Sequence, residues 1–178
     1  MLMPPAISPW WIGLTGVVVG FLLGEGARYA RYRWEIWRNR RIIRTELQTI
    51  LAQLPQKQDI LRQAIGHFKQ QRFMPTLSVR TVTTGYRAVL SDIYPHLTLA
   101  QRNCLHVIYE RLRIADEQMD GLEDSFTRAM REKIISDPWV TYVGRLEELL
   151  ESYSVVDSLA RAYIANQPID VFGNGKHP

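Results

Sequence analysis

The chain has 178 residues, with 22 Lys and Arg against 18 Asp and Glu, giving a formal net charge of +4. Its single cysteine excludes an intrachain disulfide and a disulfide-stapled secreted scaffold, in agreement with a reducing compartment. The length is enough for one compact domain together with an additional N-terminal segment.

The first 24 residues carry no Asp, Glu, Lys or Arg. A helix needs about 20 mostly apolar residues to cross the hydrocarbon core of a bilayer, and the stretch from Pro5 to Gly24 supplies them. Trp10 and Trp11 precede the most apolar part, and a second group of aromatic residues follows it, as expected at the two headgroup levels. We therefore predict an N-terminal tail and transmembrane helix over residues 1–31.

Positive charge follows this segment and does not precede it. A cleaved signal peptide would carry its positive charge first, so we favour an uncleaved membrane helix over that alternative and over a buried core helix. The positive-inside rule predicts an outside N-terminus and a cytoplasmic C-terminal domain at a bacterial inner membrane. We expect anionic lipid headgroups to bind a basic, aromatic set that we call the collar; nucleic acid is a weaker alternative, because the set adjoins the membrane segment. The collar comprises Arg28, Arg31, Arg33, Trp34, Trp37, Arg38, Arg40 and Arg41.

Four glycines, Gly13, Gly16, Gly20 and Gly24, recur at intervals of three or four residues and so share one helix face. Small residues at this spacing let helix backbones approach closely in lipid, which predicts a homo-oligomer. Glu25 follows directly and is spaced to pair with Arg28 one turn later. The alternative is a ring of Glu25 carboxylates at the mouth of an oligomeric pore.

The rest of the chain predicts helices only. An arginine-rich juxtamembrane helix is expected over residues 32–56, ended by Pro55, followed by a helical bundle over 57–168 and a flexible tail over 169–178. Within the bundle, Thr98 and Gln101 fit a capping box, a long apolar seam runs on to Phe126, and Asp137-Pro138 is typical of a helix start. The predicted fold is all-α, with a single transmembrane helix that continues into a cytoplasmic bundle of about five helices.

No sequence motif for a metal, a nucleotide or another cofactor is present, so we predict none of these and no enzymatic activity. An acidic cluster near residues 116–124 is interpreted as a solvated or arginine-docking helix face. Cys104 is interpreted as a small packing residue.

One short pattern suggests an enzyme instead. Arg62 and His67 are separated by four residues, and this resembles the Arg-x4-His signature of HEPN ribonucleases. The resemblance covers six residues and implies a membrane-tethered ribonuclease in which His67 acts as acid or base and Arg62 holds phosphate.

The main functional hypothesis is an oligomeric single-pass membrane protein with a cytoplasmic interaction or sensing domain. Its bundle could bind a protein partner. If the oligomer encloses a lumen, it would permeabilise the membrane; in that form its architecture resembles small one-pass accessory proteins of bacterial antiviral systems.

Overall fold

The computed structural model describes residues 9–73, 80–133 and 135–169. These form five α-helices and one 3-10 turn: α1 (Pro9–Lys69), α2 (Thr84–Ile93), the 3-10 turn (Tyr94–His96), α3 (Leu99–Asp120), α4 (Leu122–Glu132) and α5 (Pro138–Ile164). The described part of the chain contains no β-strand. The prediction of an all-helical bundle is therefore confirmed.

Helix α1 has two different halves. It is 61 residues long, about 90 Å at 1.5 Å per residue. Every residue from 14 to 35 is exposed, whereas Ile43, Leu47, Ile50 and Leu54 are almost fully buried. The second half therefore belongs to the bundle, and the first half projects from it.

Pro55 does not end this helix, so that prediction was wrong. Proline lacks the N–H that would bond the carbonyl four residues earlier, and in a helix interior it costs about 3 kcal/mol. The flanking Leu54 and Leu61 are each about 1% exposed, and α1 packs along α5 and α2. Burial of this face outweighs the local cost of the proline. The boundary expected at residue 56 consequently falls inside α1.

Most other helix ends follow local signals. The Thr98 hydroxyl accepts a hydrogen bond from the Gln101 N–H at 3.2 Å, and the Gln101 amide accepts one from the Thr98 N–H at 3.0 Å, which confirms the capping box. Asp137 caps α5 by accepting from the Val140 N–H, with Pro138 in the first turn, also as predicted. The seam through Phe126 is divided between α3 and α4, because Gly121 ends α3.

The bundle core lies between α1, α3 and α5, with α2 and α4 packed at its edges. Five rings meet where α1 and α4 approach α5. They belong to Phe68, Phe73, Phe126, Trp139 and Tyr142.

Within the described residues, no helix combines the length and apolarity that a membrane crossing requires, so the predicted transmembrane helix is not supported. The first residues of the predicted tail and membrane segment, 1–8, and most of the predicted flexible tail, 170–178, lie outside the described residues.

Candidate functional site

The first part of the projecting half of α1, from Leu14 to Leu23, carries exposed apolar side chains around most of the helix and glycines on the remaining face. Val17 is 72% exposed, Phe21 66% and Leu23 69%, and the residues between them include further exposed valines and a leucine. Consecutive helical residues are about 100° apart, so these side chains cover about two thirds of the helix circumference. An apolar surface of this extent marks a region that another phase or another molecule covers.

The glycine face is open. Gly16, Gly20 and Gly24 are exposed, and a Cβ atom built on any of them would have no neighbour within 4 Å. Gly20 precedes the buried Leu47 by 27 residues, which places the two about 180° apart on an ideal helix. The glycine face therefore points away from the side of α1 that enters the bundle. Gly13 belongs to α1, but its surroundings lie outside the described residues.

Glu25 pairs as its spacing predicted. Its Oε1 lies 2.9 Å from Nη1 of Arg28, and both side chains are exposed. The carboxylate proposed for a pore mouth thus has a guanidinium beside it that offsets its charge.

The collar residues fall into three groups. Arg28, Arg31 and Arg33 lie on the projecting half, where all residues are exposed. Arg40, in contrast, donates to the main-chain oxygen of His96 at 2.6 Å, and the Tyr32 hydroxyl lies 3.0 Å from Nε2 of the same histidine. Arg40 thus holds the 3-10 turn against α1.

The remaining collar residues stack on each other along the surface of α1. The Arg38 guanidinium lies 5.4 Å from the centre of the Trp34 ring, and Arg41 lies 5.5 Å from Trp37. Neither arginine forms an ion pair with a carboxylate within the described residues. Their charge is therefore available to an external anion.

The two residues of the ribonuclease resemblance lie on the exposed surface of α1. Arg62 is bonded to Asp59 at 2.6 Å, and His67 is exposed. Five helical residues turn the chain by about 140° beyond one full turn, so the two side chains leave the helix on different faces. The ribonuclease hypothesis stays a prediction, tested by incubating RNA with the wild type and with His67→Ala.

Three carboxylates of the acidic cluster form ion pairs within the chain. Asp116 binds the buried Lys57 at 2.6 Å, and Asp120 binds Arg80 at 2.6 Å. Glu117 binds Arg113 at 2.6 Å. The described residues contain no group of three or more potential ligands suited to a metal ion.

Cys104 is fully buried in α3, and its Sγ lies 3.7 Å from the Leu159 carbonyl oxygen. Burial raises the pKa of its thiol to about 11, so the protonated form dominates near neutral pH. This environment fits the predicted packing role.

Sequence reasoning missed one arrangement that joins α1 to α2. The Glu46 carboxylate accepts hydrogen bonds from the backbone N–H groups of Gly85 and Tyr86, at 2.5 Å and 3.2 Å. A Cβ on Gly85 would clash with Oε2 of Glu46 and crowd Ile42, so a larger residue there would displace the carboxylate from these N–H groups. Glu46 and Gly85 are 39 residues apart, and no local sequence pattern predicts that they are in contact.

Comparison with protein-family models, curated proteins and solved structures gives no match for this chain.

Proposed function

We propose that this chain is a membrane-anchored protein that self-associates and displays its helical bundle in the cytoplasm as an interaction or sensing module. The observation that supports this most directly is the part of α1 from Leu14 to Gly24, in which every residue is exposed, none is charged, and the collar follows. A helix lying along a membrane surface would have one charged face, whereas this segment has none.

In length alone, the first part of α1 matches the thickness of a bilayer core. From Pro9 to Ala27 the helix extends about 28 Å, close to the hydrocarbon thickness of about 30 Å. Arg28, Arg31 and Arg33 would then lie at the headgroup level. Arg40, about 20 Å beyond Ala27, would lie in the aqueous phase, where it binds the bundle.

The orientation follows from the charge distribution. Arginines on the bundle side of the apolar segment favour a cytoplasmic bundle and an inner-membrane location. In right-side-out vesicles, an added protease should leave the bundle intact, and in inside-out vesicles it should digest it.

We favour the anchored module over a pore. In a ring of Glu25 carboxylates at a pore mouth, each would have Arg28 beside it, so the ring would carry as many positive as negative charges. The bundle also offers exposed polar surface on α3, α4 and α5 to a protein partner.

The first experiment tests membrane insertion, because no helix among the described residues combines the length and apolarity of a crossing segment. The full chain should float with vesicles of phosphatidylcholine and phosphatidylglycerol and resist extraction by alkaline carbonate. Val18→Asp with Val19→Asp, at the middle of the segment from Pro9 to Ala27, should abolish this, because an aspartate in mid-membrane costs about 2.5–3.5 kcal/mol. Leu99→Asp, at an exposed apolar residue of the bundle, is the matched control and should float normally. Release of the wild type by carbonate would contradict the anchor.

Self-association is tested on the glycine face. Replacing Gly16, Gly20 and Gly24 by leucine should convert the detergent-solubilised oligomer to monomer, as measured by light scattering, because leucine prevents close backbone approach. Gly26→Leu is the control: a Cβ there is equally free of neighbours, but Gly26 lies about 200° around the helix from Gly24. An unchanged mass in the triple variant would show that another surface holds the oligomer together.

A further inference from the structure

A cleft opens where the start of α2 approaches α1. Its volume is about 450 Å³, within the range of roughly 300–1,000 Å³ that is usual for small-molecule sites. The α1 wall comprises residues spaced three or four apart, and the other wall comes from the segment that leads into α2. The lining includes Arg38, Arg41, Ile42, Thr45, Val82 and Thr84.

The shape of the cleft is set by contacts that no ligand is needed to form. Glu46 accepts from the backbone N–H groups of Gly85 and Tyr86 near the start of α2, and Gly85 has no side chain to crowd the carboxylate. The backbone at the start of α2 therefore already has an acceptor. Any ligand must be bound by the side chains that line the cleft.

At one end of the cleft, two arginine side chains provide positive charge that suits an anion. Arg38 and Arg41 lack a carboxylate partner in the described part of the chain, and each guanidinium lies over a tryptophan ring. Guanidinium groups and threonine hydroxyls are suitable donors to phosphate oxygens. Glu46 is five residues beyond Arg41, about 7.5 Å along the helix, and its carboxylate is bonded to the N–H groups of Gly85 and Tyr86, so its negative charge is separated from the two arginines.

The middle of the cleft is apolar. Ile42 lies on its α1 wall and Val82, which is 55% exposed, lies opposite. Burial of apolar area against these two residues would stabilise a ligand that has an apolar or aromatic body. We propose that this cleft binds a small organic phosphate, with its phosphate group at Arg38 and Arg41 and its body against Ile42 and Val82.

Phenyl phosphate is a suitable probe, titrated calorimetrically into the full chain in phosphatidylcholine nanodiscs and, in parallel, in detergent. We expect saturable binding that is weaker for inorganic phosphate, which lacks the apolar body. Arg38→Gln with Arg41→Gln should weaken binding at least tenfold. The control pair Arg128→Gln and Arg131→Gln has the same spacing on α4, outside the cleft, and should bind as the wild type does.

Circular dichroism and the melting temperature establish that both double variants are folded. Absence of saturable binding, or equal loss in the two double variants, would overturn the site.

A headgroup phosphate is the other source of the same chemistry, so the titration is repeated with phosphatidylglycerol in the nanodiscs. Unchanged affinity is expected for a ligand from the aqueous phase, and competition by phosphatidylglycerol would overturn that assignment. The detergent series keeps this result separate from the membrane proposal, since it does not require insertion.

Discussion

Asp116→Ala should lower the free energy of unfolding by about 3–5 kcal/mol, the usual cost of removing one partner of a buried ion pair. The Lys57 and Asp116 side chains are only 8% and 11% exposed, and their charged atoms lie 2.6 Å apart. Without the carboxylate, the Lys57 ammonium would be left buried with a threonine hydroxyl and the Tyr153 ring as its remaining neighbours. Urea titration of the full chain in mild detergent, followed by near-ultraviolet circular dichroism, measures the change.

Two further variants separate this effect from a general loss of charge. Asp120→Ala breaks the exposed Arg80–Asp120 pair, so its cost should stay below about 1 kcal/mol. Lys57→Met combined with Asp116→Leu removes both buried charges and should restore most of the lost stability. A double variant as unstable as Asp116→Ala would show that the lost hydrogen bonds to Thr81 matter more than the isolated charge.

The Lys57–Asp116 pair also fixes the position of the chain before α2. Asp116 accepts a hydrogen bond from the backbone N–H of Thr81 at 2.6 Å, while Arg80 binds Asp120 one turn further along α3. The segment that carries Val82 is thereby attached to α3, and Glu46 attaches the next residues to α1. The shape of the proposed phosphate cleft thus depends on the carboxylates of Asp116 and Glu46, neither of which lies at the end that carries the two arginines.

These carboxylates illustrate what the sequence could not predict. Thr98 with Gln101 and Asp137 with Pro138 act within one helical turn, so their spacing alone identifies the two helix starts. Lys57 and Asp116 are separated by 59 residues, and their pairing depends on how α1 and α3 pack. The candidate cleft has the same origin, since its two walls come from distant parts of the chain.

The error at Pro55 has a related cause. Proline destabilises the interior of a helix, so a prediction based on local sequence signals ends the helix at Pro55. The apolar residues on either side, Leu54 and Leu61, share one buried face, and continuing the helix keeps both in the core. Tertiary packing therefore keeps the helix continuous through Pro55, and α1 connects the apolar end to the bundle as a single helix.

Phe126→Ala should destabilise the bundle by about 3–5 kcal/mol, the range for removing a large aromatic side chain from a core. The ring of Phe126 is 5.0 Å from Phe68 of α1, 4.7 Å from Trp139 and 5.2 Å from Tyr142, both of α5, measured between ring centres. Its removal would leave a cavity where three helices meet, and the near-ultraviolet signal of Trp139 should weaken in the folded protein. Met130→Ala, at a 44% exposed residue of the same helix, should change stability by no more than about 0.5 kcal/mol. Because this core does not include the apolar end of α1, Phe126→Ala should still float with vesicles below its unfolding transition. Loss of flotation in that variant, with the bundle folded, would show that membrane association depends on the bundle and not on the projecting half of α1.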